Sequence, residues 1–575
     1  MQSIISRDKI AEQPHTRAVV DAVAASLNYW PSHQAFLLRV RGTALALLGI
    51  LGLWLVPVPG AAQIPERSAT VGPAAQFAIP PSVRVVTDGD NTSNDPAAPP
   101  QEAPFFPTMD PSVYDALKAE AEAEATPAAN APQLPDQPAQ PTNPPIVNQN
   151  FEGVDQTLAF GPGSGFFPPD THGAISTTQF VEIVNTALVV YDRDSGTILK
   201  RVPLNQLFGY PVPPGQFIND PRAAYDRAAD RFVITGVGFP EAPDVQFFFV
   251  AVSETSDASG AFFVQRVNVR RPPFTVNALF DYPILGIGTD AVLVTSNILA
   301  PAFIGADLVV FPKAPLYAGQ GATITLFKGL IGTLTPPIVL DQNGSSFLLA
   351  NLPNTPFVAV YELTGAGDPT TTTLGDPFTI NVSTYRVPRS AQQPLVFNTL
   401  DTLDTRFVNA STQIGTSLFN VHTIALGTFP TPRWYELDVA AHAVAQTGVF
   451  FGTGTSDDWN ASMVVNDTRD VLVTWTSSNA FGSRDGNPPY FAQVRTSGRL
   501  STDPAGVIPS GVVVFESTTP YFNFRWGDYS AITLDPNNGN CAWGVNEKIN
   551  AAFTWGSRFF SSCLQPVAPA EIATR

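Results

Sequence analysis

The sequence predicts an all-β fold, a β-propeller, on three observations. The 575 residues include 55 prolines, 42 glycines and 40 phenylalanines, and only 14% are charged, a mixture that breaks helices and favours strands. From about residue 151 to 563, short apolar or alternating runs recur between turn residues, as in sandwiches, barrels and propellers. The runs group into units opening at Asp170, Asp220, Asp281, Ile338, Asp404, Trp459 and Trp526, at intervals of 50 to 67 residues, enough for four strands and variable loops. Seven units predict seven blades. Counts of six or eight also fit, because Asp341 to Val387 is irregular, and two stacked β domains are the alternative architecture.

Residues 1–62 read as a leader. The uncharged stretch Thr43 to Val58 follows Arg39 and Arg41 and precedes Pro59-Gly60-Ala61-Ala62, the order of a secretory signal cleaved after Ala62. It is shorter than the roughly 20 residues of a usual membrane span, and an uncleaved signal anchor is the other reading. Residues 63–150, rich in Pro, Ala, Gln and Asp, bury too little apolar surface to fold alone and are expected as a disordered spacer. One helical island stands out there, Asp110 to Ala125, with Asp110 as cap and Pro111 in the first turn.

Residues 151–565 form the expected propeller, with 566–575 as a short tail. Asp192 to Gly196 and Asp535 to Asn540 suit turns. The last unit shows only about three strands, so the strand that closes the ring is expected from Val147 to Leu158. Cys541 and Cys563, the only cysteines, lie in adjacent strands of that unit; one disulfide is expected, and no zinc site.

The net charge of -18 and absence of a basic patch argue against nucleic acid as a partner. There is no Gly-Lys-Ser/Thr phosphate loop or dinucleotide fingerprint, and no cofactor is expected. Leader and disulfide together predict a secreted, periplasmic or cell-surface monomer, membrane-attached only if the leader stays uncleaved.

At Pro168-Pro169-Asp170-Thr171-His172-Gly173, Asp220-Pro221-Arg222 with Tyr225-Asp226, Asp281-Tyr282-Pro283-Ile284-Leu285-Gly286 and Arg525-Trp526-Gly527-Asp528-Tyr529-Ser530, the chain resembles exported bacterial β-propeller proteins of unassigned function that are distantly sialidase-like. The resemblance spans Phe151 to Cys563 and implies the fold. Where sialidases carry Ser-x-Asp-x-Gly-x-x-Trp, this chain has Thr255-Ser256-Asp257-Ala258-Ser259-Gly260-Ala261-Phe262.

In a propeller, the polar residues opening each unit converge on the axis. Asp170, Asp281, Tyr282, Asp528 and Tyr529 are therefore the candidate catalytic residues, since a glycosidase needs paired carboxylates, or a tyrosine nucleophile in the sialidase manner. Arg222 and Arg525 are candidates for binding an acidic group, and Trp434 and Trp459 for stacking on a sugar. The competing reading makes the aspartates turn residues that bond neighbouring blades. His172 and His422 lack metal-spaced partners, and Ser164 misses the nucleophile-elbow spacing. The leading expectation is a module binding a glycan or protein ligand; the alternative is a sialidase-like glycoside hydrolase.

Overall fold

The computed structural model describes residues 70–87, 101–124, 144–160, 166–211, 217–482, 486 and 488–564. The signal segment, Ser164 and the tail lie outside them. Ala69–Arg575 is one compact unit, rather than two stacked domains.

The chain is an all-β propeller. Consecutive strands pair antiparallel, as in His172–Ile175, Gln179–Val184, Ala187–Asp192 and Ile198–Pro203. Middle strands such as Ala187–Asp192 (ALVVYD) are buried along nearly their whole length, because each sheet is covered on both faces by its neighbours. That requirement explains the continuous apolar runs in the sequence. Phe180, for instance, stacks on Phe559 of the last sheet with ring centroids 4.8 Å apart.

Among the described residues, five sheets of four or five strands stand as separate blades, so the expected count of seven is not what forms. The units opening at Asp281 and Asp404 do not separate. Pro337–Val339 pairs in parallel with both Leu279–Ile287 and Ser411–Ile414 and joins them into one ten-stranded sheet.

The ring closes as expected. Ile146–Asp155 pairs antiparallel with Thr554–Cys563, setting Phe151 opposite Phe559 and Ile146 opposite Cys563. First and last parts of the propeller thereby share one sheet, and that edge is covered. Glu182 of the first sheet binds across to the closing strand: its carboxylate accepts from Val154 N at 3.0 Å and from the Ser557 hydroxyl. Burial raises the Glu182 pKa to about 7 against these hydrogen bonds.

The expected spacer is in part built structure. Ala75–Ile79 extends the sheet edge at Ala322–Leu330, and Val83–Val85 extends Phe262–Asn268. Gln101–Glu102 pairs with Phe166–Phe167, and a helix spans Pro111–Ala123, with the Asp110 carboxylate accepting from Ser112 N at 2.9 Å. These pieces cannot fold alone, yet a sheet edge offers them the backbone partners their own sequence lacks. The propeller also begins at Ile146, before the expected boundary at 151.

Cys541 and Cys563 are disulfide-bonded directly across a strand pair, which suits an oxidising compartment. Among the described residues no helix is long and apolar enough to cross a membrane.

Reducing the disulfide, which links residues 22 apart, is expected to lower the unfolding free energy by about 3 kcal/mol while leaving the native circular dichroism spectrum intact. Free thiols in the unreduced protein would contradict this. Glu182 holds its proton more tightly folded than unfolded, so its contribution is complete below pH 4.5 and is lost as pH rises through about 7. Urea unfolding at pH 5 and pH 8 should show stability falling by about 3 kcal/mol from this group, a loss that Glu182→Gln should largely remove.

Candidate functional site: the axial channel

The first strands of the units begin with a recurring backbone device. Asp170, Asp220, Tyr282 and Asn460 have φ of 49°, 48°, 53° and 55°, and register breaks lie at Asn219/Arg222, Asp281/Ile284 and Trp459/Ser462. Aspartate and asparagine tolerate this left-handed conformation better than most residues. The bulge re-aims the adjacent side chains toward neighbouring units.

A ring of hydrogen bonds results. The Asp170 carboxylate accepts from Asp528 N at 2.7 Å and from Asn185 Nδ2 at 2.7 Å. Asp220 N donates to Asn185 Oδ1 at 2.9 Å, and Tyr282 N donates to the Asp220 carboxylate at 3.1 Å. Tyr282 OH then donates to Asp528 O at 3.2 Å. Beside this ring, Glu547 accepts from Gly527 N at 2.6 Å, and Tyr529 OH donates to Pro221 O at 2.9 Å.

Arginines cross the middle. Arg222 donates to Pro283 O, Val408 O and Asn409 Oδ1 at 2.8 to 3.0 Å, with its guanidinium 3.3 Å from the Tyr529 ring centroid. Arg525 donates to Asp528 at 2.5 Å and lies 3.5 Å from Asp401. Arg406 forms a two-point pair with Asp404 at 2.9 Å and lies over the Tyr282 ring at 4.5 Å.

Burial dominates the electrostatics. It raises the carboxyl pKa of Asp170, Asp220, Asp281 and Glu547, and for Asp170 and Asp281 the neighbouring carboxylates push further the same way. Asp528 rises to about 6 despite Arg525 and Arg406. Asp404 goes the other way: burial opposes its charge, but Arg406 holds it down at about 2. Burial, then the Arg222 charge, holds His172 well below the usual histidine range.

The predicted axial residues Asp170, Arg222, Asp281, Tyr282, Arg525, Asp528 and Tyr529 do come together. Trp434 and Trp459 do not join them. At 0% and 1% exposed, both are core residues packed between sheets, unable to stack on a sugar. Sequence reasoning missed Asn185, Asp401, Asp404, Arg406, Asn409 and Glu547. A signal existed for one pair, since Asp404-Thr405-Arg406 repeats the spacing of Asp220-Pro221-Arg222.

The two ends of the channel differ. Where the first strands start, residues 101–124 cover the charged cluster. Beyond Arg222 a narrow shaft of about 80 Å³ continues past Ile284, Leu285, Ala410 and Ile532. It shares Tyr225, Arg227, Ile338 and Leu340 with a wider, open cavity of about 440 Å³, whose rim adds Lys313, Asp341 and Asp467. Among the described residues no group of His, Cys, Asp and Glu is arranged to hold a metal ion.

No protein-family model matches the chain, and no curated protein matches it. Among solved structures, the phage phi92 endosialidase is similar at 8% identity over 75% of this chain and 71% of that one, with a TM-score of 0.36. Trypanosoma rangeli sialidase is similar at 10% identity over 60% of this chain and 54% of that one, with a TM-score of 0.30. The extracellular domains of Drosophila Semaphorin 1b are similar at 9% identity over 73% and 87%, with a TM-score of 0.32. At this distance none of them speaks to activity.

Asp170→Ala orphans the buried Asp528 N and takes from Asn185 Nδ2 one of its two acceptors, leaving it Pro168 O. It should cost about 3 kcal/mol in urea unfolding, at 1–3 kcal/mol for the orphaned amide plus the lost bonds. An unchanged unfolding midpoint would mean the ring is not structural.

Proposed function

We propose that the chain is an exported bacterial β-propeller module that binds a glycan or protein ligand at the open end of the axial channel. The observation that carries this reading is the use made of the axial carboxylates. Asp170 and Asp220 are buried and accept hydrogen bonds from backbone N–H groups of neighbouring units, Asp170 also from the Asn185 amide of its own unit, and Asp528 is paired with Arg525. A hydrolase of the paired-carboxylate kind needs two carboxylates facing one substrate-sized space, about 5 to 9.5 Å apart, whereas these are engaged by backbone amides, Asn185 and Arg525. The open end instead presents exposed charges of both signs around Tyr225, among them Arg227, Asp341 and Asp467.

The hydrolase reading keeps one specific support. Among the described residues no hydrogen bond reaches the Asp281 carboxyl, and burial together with Asp220 raises its pKa well above the ordinary value. A proton held there is what a general acid requires. With Asp281 as acid, Tyr282 or Tyr529 would be the nucleophile and Arg222 and Arg525 the holders of an acidic sugar.

A glycan array and a chromogenic-glycoside screen of the full chain separate the two. Binding without turnover, weakened at least tenfold by Arg227→Ala with Tyr225→Ala and unaffected by Asp281→Asn, is the expected outcome. Turnover that disappears in folded Asp281→Asn protein would replace binding by catalysis.

A further inference from the structure

The channel end opposite the open cavity is covered by a segment of the chain that makes peptide-like contacts. Gln101–Glu102 adds a short parallel strand beside Phe166–Phe167, with Ala103 N donating to Phe167 O at 2.7 Å. The Phe105 ring then lies 5.3 Å from the Arg406 guanidinium and 5.2 Å from that of Arg525, and 5.3 Å from the Tyr114 ring. Phe106 O accepts from Arg406 at 2.8 Å, and Thr108 donates to Asp404 through both its backbone N–H and its hydroxyl.

The helix Pro111–Ala123 continues the cover. Lys118 Nζ donates to Pro388 O, Thr402 Oγ1 and Leu403 O at 2.9 to 3.0 Å. Glu122 accepts from Ser390 N at 2.8 Å, and Glu124 pairs with Arg386 at 3.2 Å. A helix of 13 residues with one buried side chain, Tyr114, has little stability by itself in water. Its order comes from the surface it lies on.

The charge pairs of that surface are made without it. The Asp404–Arg406 and Asp528–Arg525 pairs lie wholly within the propeller, so removing the cover leaves no buried charge alone. Beside it an open cavity of about 530 Å³ is lined by Phe105, Tyr114 and Lys118 of the segment together with Asp401, Phe524 and Arg525 of the propeller.

We propose that residues 101–124 are a tethered ligand of this mouth: the mouth is a docking groove for a peptide that sets one aromatic ring between Arg406 and Arg525 and lays a short acidic helix against Arg386 and Ser390. In the intact chain the occupant is this chain's own segment, in cis. Tethering gives it an effective concentration in the millimolar range, so a free copy competes only once the tether is cut. The site is separate from the open cavity, and its failure would leave that reading untouched.

The test uses the full chain with one protease site inserted within 88–100 and another within 125–143. After cleavage at both, a fluorescent synthetic peptide of residues 101–124 is titrated in while thermal unfolding is followed. Saturable exchange for the resident fragment is expected, with the native melting transition retained. Phe105→Ala in the peptide should weaken it at least tenfold. Refusal of the fragment to exchange, or loss of the melting transition on cleavage, would make the segment an integral part of the fold and overturn the proposal. Equal binding of a scrambled peptide would overturn it as well.

Discussion

The propeller turns on a hydrogen-bonded ring around its axis. Asp528 N to Asp170, Asn185 to Asp170, Asp220 N to Asn185, Tyr282 N to Asp220 and Tyr282 OH back to Asp528 O form a closed circuit. All but the Asn185–Asp170 link end on a backbone group, where the sheets are nearest together and the amide groups have left their ladders. Groups at such a position must be satisfied from neighbouring units or remain buried without partners, at 1–3 kcal/mol each. A carboxylate is the side chain suited to this, because it accepts from two donors at once.

That arrangement has an electrostatic cost. Several carboxyls share a small volume, and their pKa values rise through burial and mutual repulsion. Arg222, Arg406 and Arg525 offset part of it, stacking on Tyr529, Tyr282 and Phe105 while donating to carbonyls and carboxylates. The cluster has the composition of a catalytic site, yet most of its hydrogen bonds run between structural units. Composition alone does not separate the two roles; the partners of each carboxylate do.

The closing strand and the covering segment are two uses of the chain before the first complete sheet. Ile146–Asp155 supplies a full strand, with Glu182 and Ser557 fixing it from both sides. Residues 101–124 supply an aromatic anchor and a polar helix over a surface whose charge pairs are made within the propeller. The first completes the core, and the second occupies a mouth.

The sequence by itself determined the all-β class, the convergence of the unit-opening aspartates, tyrosines and arginines, the cysteine pair and the source of the closing strand. These are written in local periodicity, composition and spacing, which a single strand or turn expresses. Several matters were decided only by tertiary structure. Pro337–Val339 joins two units because it lies between their inner strands, a neighbourhood no local pattern records. The proline-rich segment read as spacer because it has no core of its own, and only the sheet edges and the mouth supply its partners. Trp434 and Trp459 read as sugar-stacking rings because a sequence lists aromatic side chains without their neighbours, and packing between sheets buried them. Whether an axial aspartate is free or engaged depends on donors as far away as Asp528 is from Asp170, 358 residues along the chain, and only folding brings those donors within reach.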